Sequence, residues 1–122
     1  VFASSFKKSN QEVFNKFLNF ANQFNSKIHL LKVNTPSQFE STQDSKEKIK
    51  EFIKAYKMPK HTINIYNDTS IQGGILNFSR DLNADLIALS THGRSGLSHL
   101  FSASVTKKLS KNALKPMLTI KT

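Results

Sequence analysis

The most constraining feature of the sequence is its C-terminal third, residues 84–122, which contains two apolar runs. The first run covers residues 84–89, and residues 90–101 after it are small, polar and glycine-bearing. A helical face follows, made by Val105, Leu109 and Leu114. Residues 116–120 are again apolar, so the order predicts strand, loop, helix and strand. A buried strand leading through such a loop into a helix N-terminus is a common anion site, because backbone N–H groups converge there.

The rest of the chain alternates in the same way. Apolar runs predict strands at residues 1–5, 27–33 and 61–66. Apolar residues at helical spacing predict three helices between these strands: Val13, Phe14, Phe17, Leu18, Ala21 and Phe24; Ile49, Phe52, Ile53 and Tyr56; Ile71, Ile75, Phe78 and Leu82. Strands that alternate with amphipathic helices predict an α/β fold, with helices on both faces of a parallel sheet of about five strands.

Several local features refine this prediction. Residues 34–45 are polar and contain Pro36, which predicts a loop. Ser9 or Asn10 is expected to cap the first helix. Gly73 and Gly74 fall inside the third helical pattern, where each costs about 1 kcal/mol relative to Ala. We therefore expect either a close approach to a neighbouring element or a late helix start.

Composition limits the class of protein. A chain of 122 residues with 38% hydrophobic and 21% charged residues predicts one folded domain over residues 1–122. The longest apolar run falls short of the roughly 20 residues needed to cross a bilayer. Cysteine is absent, which removes thiol catalysis and thiolate metal sites and is typical of a reducing cytoplasm. The chain opens without Met and inside a predicted strand, so we expect a fragment or one repeat of a longer protein.

The charge of +10 is unevenly distributed. After Asp85 the sequence has no acidic residue, and its cations there are Arg94, Lys107, Lys108, Lys111, Lys115 and Lys121. One interpretation is attraction for phosphate or nucleic acid, and the other is a solvated lysine-rich surface. The basic segments lack the interleaved aromatic residues of single-strand binders, so nucleic-acid association is the weakest of the functions considered.

The runs ADLIALSTHGRSGL and KPMLTIK together resemble the C-terminal half of the universal stress protein family. Nucleotide-binding members of that family carry G-x2-G-x9-G-[ST] between the fourth strand and the fourth helix. Here the pattern falls on Ser90, Gly93, Ala103 and Ser104, of which Gly93 and Ser104 match. The resemblance implies a Rossmann-like three-layer sandwich with strand order 3-2-1-4-5, and tandem domains are common in the family.

The resemblance also implies a nucleotide or phosphate site, with ATP and Mg²⁺ as the expected ligands. Its candidate residues are Ser5, Val33, Ser90, His92, Gly93, Arg94, Ala103 and Ser104. Ser5 stands where the family usually has Asp, and Val33 would offer backbone groups to adenine. Ser90 carries a side chain where Gly would let the backbone approach phosphate closely. Arg94 can pair with phosphate, and Ser104 is alternatively a plain helix cap.

The sequence gives catalysis little support. His92 is the only ionisable candidate base in the motif turn, and neither it nor His99 has a carboxylate neighbour in sequence. The serines form no G-x-S-x-G elbow, and the histidines show no metal-ligand spacing. Asp85 stands at the start of the fourth strand, far from the crevice. We therefore expect a non-enzymatic stress-response module, with an ATP-binding switch of slow hydrolysis as the alternative.

Residues 116–120 are predicted to form an exposed edge of the sheet. The family resemblance implies homodimerisation through this strand, or pairing with the other repeat of a tandem protein; the residues are Pro116, Met117, Leu118, Thr119 and Ile120. The alternative is a short edge masked by Lys115 and Lys121.

Overall fold

The computed structural model of the chain describes residues 1–90 and 115–120. The elements in chain order are β1 (Phe2–Ala3), a 3-10 turn (Lys8–Asn10), α1 (Gln11–Gln23), β2 (Ile28–Asn34), α2 (Thr42–Ile53), β3 (His61–Asn67), α3 (Ile71–Leu82), β4 (Ile87–Ser90) and β5 (Met117–Ile120). All strand pairs are parallel, in the order β3-β2-β1-β4-β5. The predicted α/β class and strand order are confirmed.

Two apolar clusters cover the two faces of the sheet. On one face, α1 and α2 pack against Phe2, Leu30 and Ala88. On the other face, α3 contributes Ile75, which packs against Leu31 and Leu89. Successive side chains of a strand point to opposite faces, so neighbouring residues of β2 and β4 enter different clusters. Among the described residues, no helix combines the length and hydrophobicity needed to span a membrane.

Short polar caps set where the helices begin and end. Ser41 caps α2 by accepting a hydrogen bond from the amide of Asp44 at 3.1 Å, and Ser70 caps α3 through the amide of Gly73 at 2.9 Å. Asn83 ends α3 in the left-handed conformation with φ of 57°. The expected loop over residues 34–45 is therefore shorter than predicted, because α2 begins at Thr42.

Of the two outcomes expected for Gly73 and Gly74, the structure shows the close approach to a neighbouring element. α3 begins at Ile71, ahead of both glycines, so the late start was wrong. Gly74 instead lies against Val33, where an added Cβ would meet Val33 Cγ1 at 2.5 Å. The missing side chain thus lets α3 pack directly on β2.

The structure also shifts four predicted boundaries: α2 ends at Ile53, before Tyr56, β4 begins at Ile87 rather than at residue 84, and the ends of α1 and β1 change as well. Phe24, predicted on the buried stripe of the first helix, is 65% exposed because α1 ends at Gln23. Its ring packs on Phe20 with centroids 5.0 Å apart. β1 covers Phe2–Ala3 rather than residues 1–5, because the chain turns at Phe6, whose φ is 56°.

Candidate functional site

The carboxyl ends of β1 and β4 lie side by side at the point where the strand order reverses. Ala3 pairs with Leu89, so the residues that follow, Ser4 and Ser90, leave the sheet at the same edge. In parallel sheets ligands bind in the crevice at this switch point. The topology therefore places two of the predicted site positions, Ser5 and Ser90, at one edge of the sheet.

The loop after β1 is held by the side chain of Asn10, which is 2% exposed. Its Oδ1 accepts hydrogen bonds from the Ser4 hydroxyl at 3.2 Å, the Ser5 hydroxyl at 3.2 Å and the Lys7 amide at 3.1 Å. Asn10 is the residue before α1, yet its side chain makes no hydrogen bond to the helix amides. The predicted capping role at Asn10 is replaced by this inward-facing hub, and the hydrogen of Ser5 is committed to it.

Phe6 occupies a backbone conformation that a bulky residue seldom adopts. Its φ of 56° is left-handed, while its ring is 2% exposed and meets Phe52 edge-on with centroids 5.3 Å apart. The Phe6 amide donates to Ser4 Oγ at 3.0 Å, which fixes the turn. Burial of the ring and the Asn10 hub together hold this conformation, which costs about 1–3 kcal/mol.

Val33 lies inside β2, one residue before its end. Backbone groups of a strand alternate in direction: Leu31 accepts from the Ser4 amide on the β1 side, while Asn34 accepts from the Asp68 amide on the β3 side. The amide and carbonyl of Val33 therefore face the β1 side. Since β1 ends opposite Leu31, they face the space beyond it, next to the loop of Ser4 and Ser5.

Ser90 is the last residue of β4, 9% exposed and in register with Ile120 of β5. The remaining predicted site residues lie outside the described residues: His92, Gly93, Arg94, Ala103 and Ser104. Their role in binding stays a prediction. Within residues 1–90 and 115–120, no three His, Asp or Glu side chains come together as a potential metal site.

An ion-pair cluster beside the crevice was missed from the sequence. Lys32, whose side chain is 11% exposed, contacts Glu40 Oε1 at 2.8 Å and Ser45 Oγ at 2.9 Å. The Ser45 hydroxyl donates to the same Glu40 oxygen at 2.7 Å. Asn34 Nδ2 donates to the Glu40 carbonyl at 2.8 Å, which ties the end of β2 to the loop before α2.

The cluster has a clear electrostatic signature. Hydrogen bonds from Lys32 and Ser45 lower the pKa of Glu40 to about 2, with Lys48 adding a weaker attraction. The one signal available from the sequence was Lys32, a charge that interrupts the apolar run of a central strand. A charge in that position needs a partner, but the sequence does not say that the partner lies in the following loop.

The β2–α2 loop also borders a groove of about 540 Å³ at the ends of β2 and β3. Phe39, which is 74% exposed, forms one wall, while Asn34 and Asn67 close its inner side. Asp68 lines the same groove, and hydrogen bonds from Asn77 and the Thr69 amide lower its pKa. The crevice edge is thus rich in hydroxyl, amide and carboxylate groups across β1, β2 and β3.

The doubly wound parallel sheet and its switch-point crevice define a class of α/β proteins with a ligand site at the strand ends. The family model of the universal stress protein family matches residues 1–121. The chain belongs to the universal stress protein family.

Solved structures agree with this fold. A universal stress protein in complex with cAMP superposes with a TM-score of 0.73 at 13% identity, over 99% of this chain and 94% of that one. A universal stress protein from Archaeoglobus fulgidus gives 0.71 at 17% identity, covering 98% and 96% of the two chains. UspA from Lactobacillus plantarum gives 0.69 at 17% identity, covering 98% and 94%. No protein of curated function is a significant match.

Proposed function

We propose that the protein is a non-enzymatic module that binds a nucleotide or another phosphate compound at the switch-point edge. The observation that carries the proposal is the direction of the Val33 backbone groups, which face the space beyond β1 beside Ser5. Membership of the family supports it, as does the fold shared with a universal stress protein in complex with cAMP.

The described side of the crevice suits the base and ribose of a nucleotide. The Ser5 hydroxyl already donates to Asn10, so its oxygen is left to accept a hydrogen bond from a ligand. A ribose hydroxyl or a base amino group can supply that donor, whereas a phosphate dianion cannot. The Val33 amide and carbonyl offer a matching donor and acceptor for a base edge. Phosphate recognition would then fall to Gly93, Arg94 and Ser104, as the sequence predicts.

Calorimetric titration with Mg-ATP, cAMP and inorganic phosphate tests this proposal. We expect ATP to bind more weakly than micromolar, because Ser90 and Ala103 carry side chains at two glycine positions of the motif. The double variant Ser90→Gly/Ala103→Gly should tighten ATP binding, while the matched variant Ser98→Gly, outside the spaced motif, should leave it unchanged. A submicromolar constant for the natural chain, or no gain in the double variant, contradicts this account.

The alternative, an ATP-binding switch with slow hydrolysis, predicts a different result. A switch would retain ATP through purification and release phosphate on incubation with Mg²⁺, whereas the non-enzymatic module would do neither.

Charge-driven nucleic-acid association, the third candidate, predicts an affinity that falls steeply with salt and shows little base preference. The cytoplasmic location stays a prediction from the cysteine-free sequence.

We also propose that two copies, or two repeats of one chain, pair through β5. This strand bonds to β4 on one side and is an edge of the described sheet on the other, with Thr119 exposed and Ile120 buried. Multi-angle light scattering at several concentrations should show a dimer for the natural chain. Thr119→Lys should yield a monomer, because two charged edges would repel each other. Leu118→Lys serves as a second disrupting variant, and a natural chain that stays monomeric throughout overturns the pairing.

A further inference from the structure

A basic groove of about 730 Å³ lies between the start of α1 and the C-terminal half of α2. We call it the α1–α2 groove. Its floor is apolar and consists of Phe6, Phe52 and Ala55. Its rim carries four lysines: Lys7, Lys8, Lys48 and Lys54. Its lining begins at Phe6, directly after Ser5, but includes none of the residues proposed for nucleotide binding.

The charge around the groove is predominantly positive. Glu51 is its one acidic lining residue, and it contacts Lys54 at 3.8 Å with both side chains more than 70% exposed, where water screens the pair. Lys48 lies 3.7 Å from Glu40. In the described part of the chain, no carboxylate lies within ion-pair distance of Lys7 or Lys8, and both are exposed. The rim therefore presents cations with little compensation.

The backbone that carries Lys7 and Lys8 is already fixed. The Lys7 amide donates to Asn10 Oδ1, and the preceding residue, Phe6, is anchored by its buried ring. Lys8 opens the 3-10 turn that leads into α1. A partner bound here would order two lysine side chains but not the loop, so it would lose less conformational entropy on binding.

We propose that the α1–α2 groove is a docking surface for an acidic segment of another protein that carries a nonpolar side chain between its carboxylates. The carboxylates complement the lysine rim, and the nonpolar side chain packs on Ala55, the exposed residue of the apolar floor. A nucleic acid fits less well, because Phe6 and Phe52 are only 2% and 5% exposed and pack edge-on against each other. They present no free ring face on which a base could stack.

A fluorescence anisotropy titration tests the proposal with a labelled synthetic peptide in which Asp and Glu flank a central Leu-Phe pair. The double variant Lys7→Glu/Lys8→Glu should weaken binding at least about tenfold, since it reverses half of the rim. The matched control Lys57→Glu/Lys60→Glu changes the net charge equally at two exposed lysines outside the groove. It should weaken binding less than about twofold at physiological salt, where remote charges are screened.

A second variant tests the floor without touching a lysine. Ala55→Glu places a carboxylate on the exposed part of the floor and should also weaken peptide binding. Equal losses in the two lysine pairs would show a general charge effect and overturn the proposal. The proposal would also be overturned if a peptide with Ser-Ser in place of Leu-Phe bound as tightly as the original peptide. Displacement of the peptide by an oligonucleotide of equal charge, at the same concentration as unlabelled peptide, would favour nucleic acid and likewise overturn it.

Discussion

The loops that follow β1 and β2 leave the same edge of the sheet, yet they are held by opposite kinds of chemistry. The first is organised by a neutral amide, Asn10, that accepts three hydrogen bonds. The second is organised by a carboxylate, Glu40, paired with the largely buried Lys32. Asn10 lies shortly after β1 in sequence and Glu40 shortly after β2. Each loop is therefore fixed close to the sheet.

Because of this difference, only the loop after β2 can respond to pH. An amide hub has no charge to lose, and its loop stays in place across the physiological range. A carboxylate hub depends on its ionisation, although a pKa of about 2 keeps Glu40 charged well below neutrality. The loop carrying Ser5 is thus held by geometry and burial, and the loop carrying Phe39 is held by charge.

The largest expected effect comes from replacing Phe6. Both Phe6→Ala and Phe6→Gly should destabilise the fold by about 3–5 kcal/mol, because they remove a buried ring. At a φ of 56° glycine should be the better of the two by about 1 kcal/mol, the reverse of the usual order. Urea denaturation measures both, and a more stable alanine variant would contradict the left-handed turn.

Removal of the neutral hub should have the next largest effect. Asn10→Ala leaves three donors without their acceptor, which should cost about 2–3 kcal/mol of unfolding free energy. The control Asn15→Ala removes an exposed amide from α1, the helix that follows Asn10, and should be neutral or slightly stabilising. If the two variants have equal stability in urea denaturation, Asn10 does not organise the loop.

Removal of the charged hub should have a smaller effect that depends on pH. Glu40→Gln should cost about 1–2 kcal/mol at pH 7, because Lys32 loses its counter-ion. The folded-state pKa of about 2 lies below the ordinary value, so the contribution of Glu40 is present above about pH 4.5 and is lost as pH falls towards 2. The difference between the natural chain and the variant, followed by acid titration of stability, should shrink over that window.

An exposed ion pair provides the matched control for that experiment. Glu12→Gln removes a partner of Lys16 across 3.8 Å, where the side chains of Glu12 and Lys16 are 71% and 50% exposed. We expect a change below about 0.5 kcal/mol at any pH. A loss as large as that of Glu40→Gln would show that burial of Lys32 adds nothing.

The sheet order could be predicted because the alternation of apolar runs and helical stripes leaves few topologies for a parallel sheet, and the family resemblance selected one. The end of β1 could not be predicted, because it depends on the left-handed turn at Phe6. That turn is held by the Phe6 ring, which is buried against Phe52, a residue far away in sequence. The role of Asn10 could not be predicted either. An Asn before a helix is ordinarily a cap, and only the folded loop turns this side chain inward.

Exposure of Phe24 illustrates a limit of periodicity. The helical stripe continues through this residue in sequence, but α1 stops one residue earlier and Asn25 takes a φ of 50°. Periodicity reports which face a residue would occupy if the helix continued, not whether it does. The Lys32–Glu40 ion pair could not be predicted either, because contacts between a strand and the loop that follows it have no fixed spacing in sequence.

The most direct test of the nucleotide proposal is a series of amide ¹H–¹⁵N correlation spectra recorded during titration with Mg-ATP. We predict that the amide signals of Ser4, Ser5 and Val33 shift with a common, weaker-than-micromolar constant. Those of Lys27 and Asp85, at the opposite edge of the sheet, should stay in place. Shifts centred on Lys27 and Asp85, or an unchanged spectrum at saturating ATP, would contradict the placement of the ligand beside Val33.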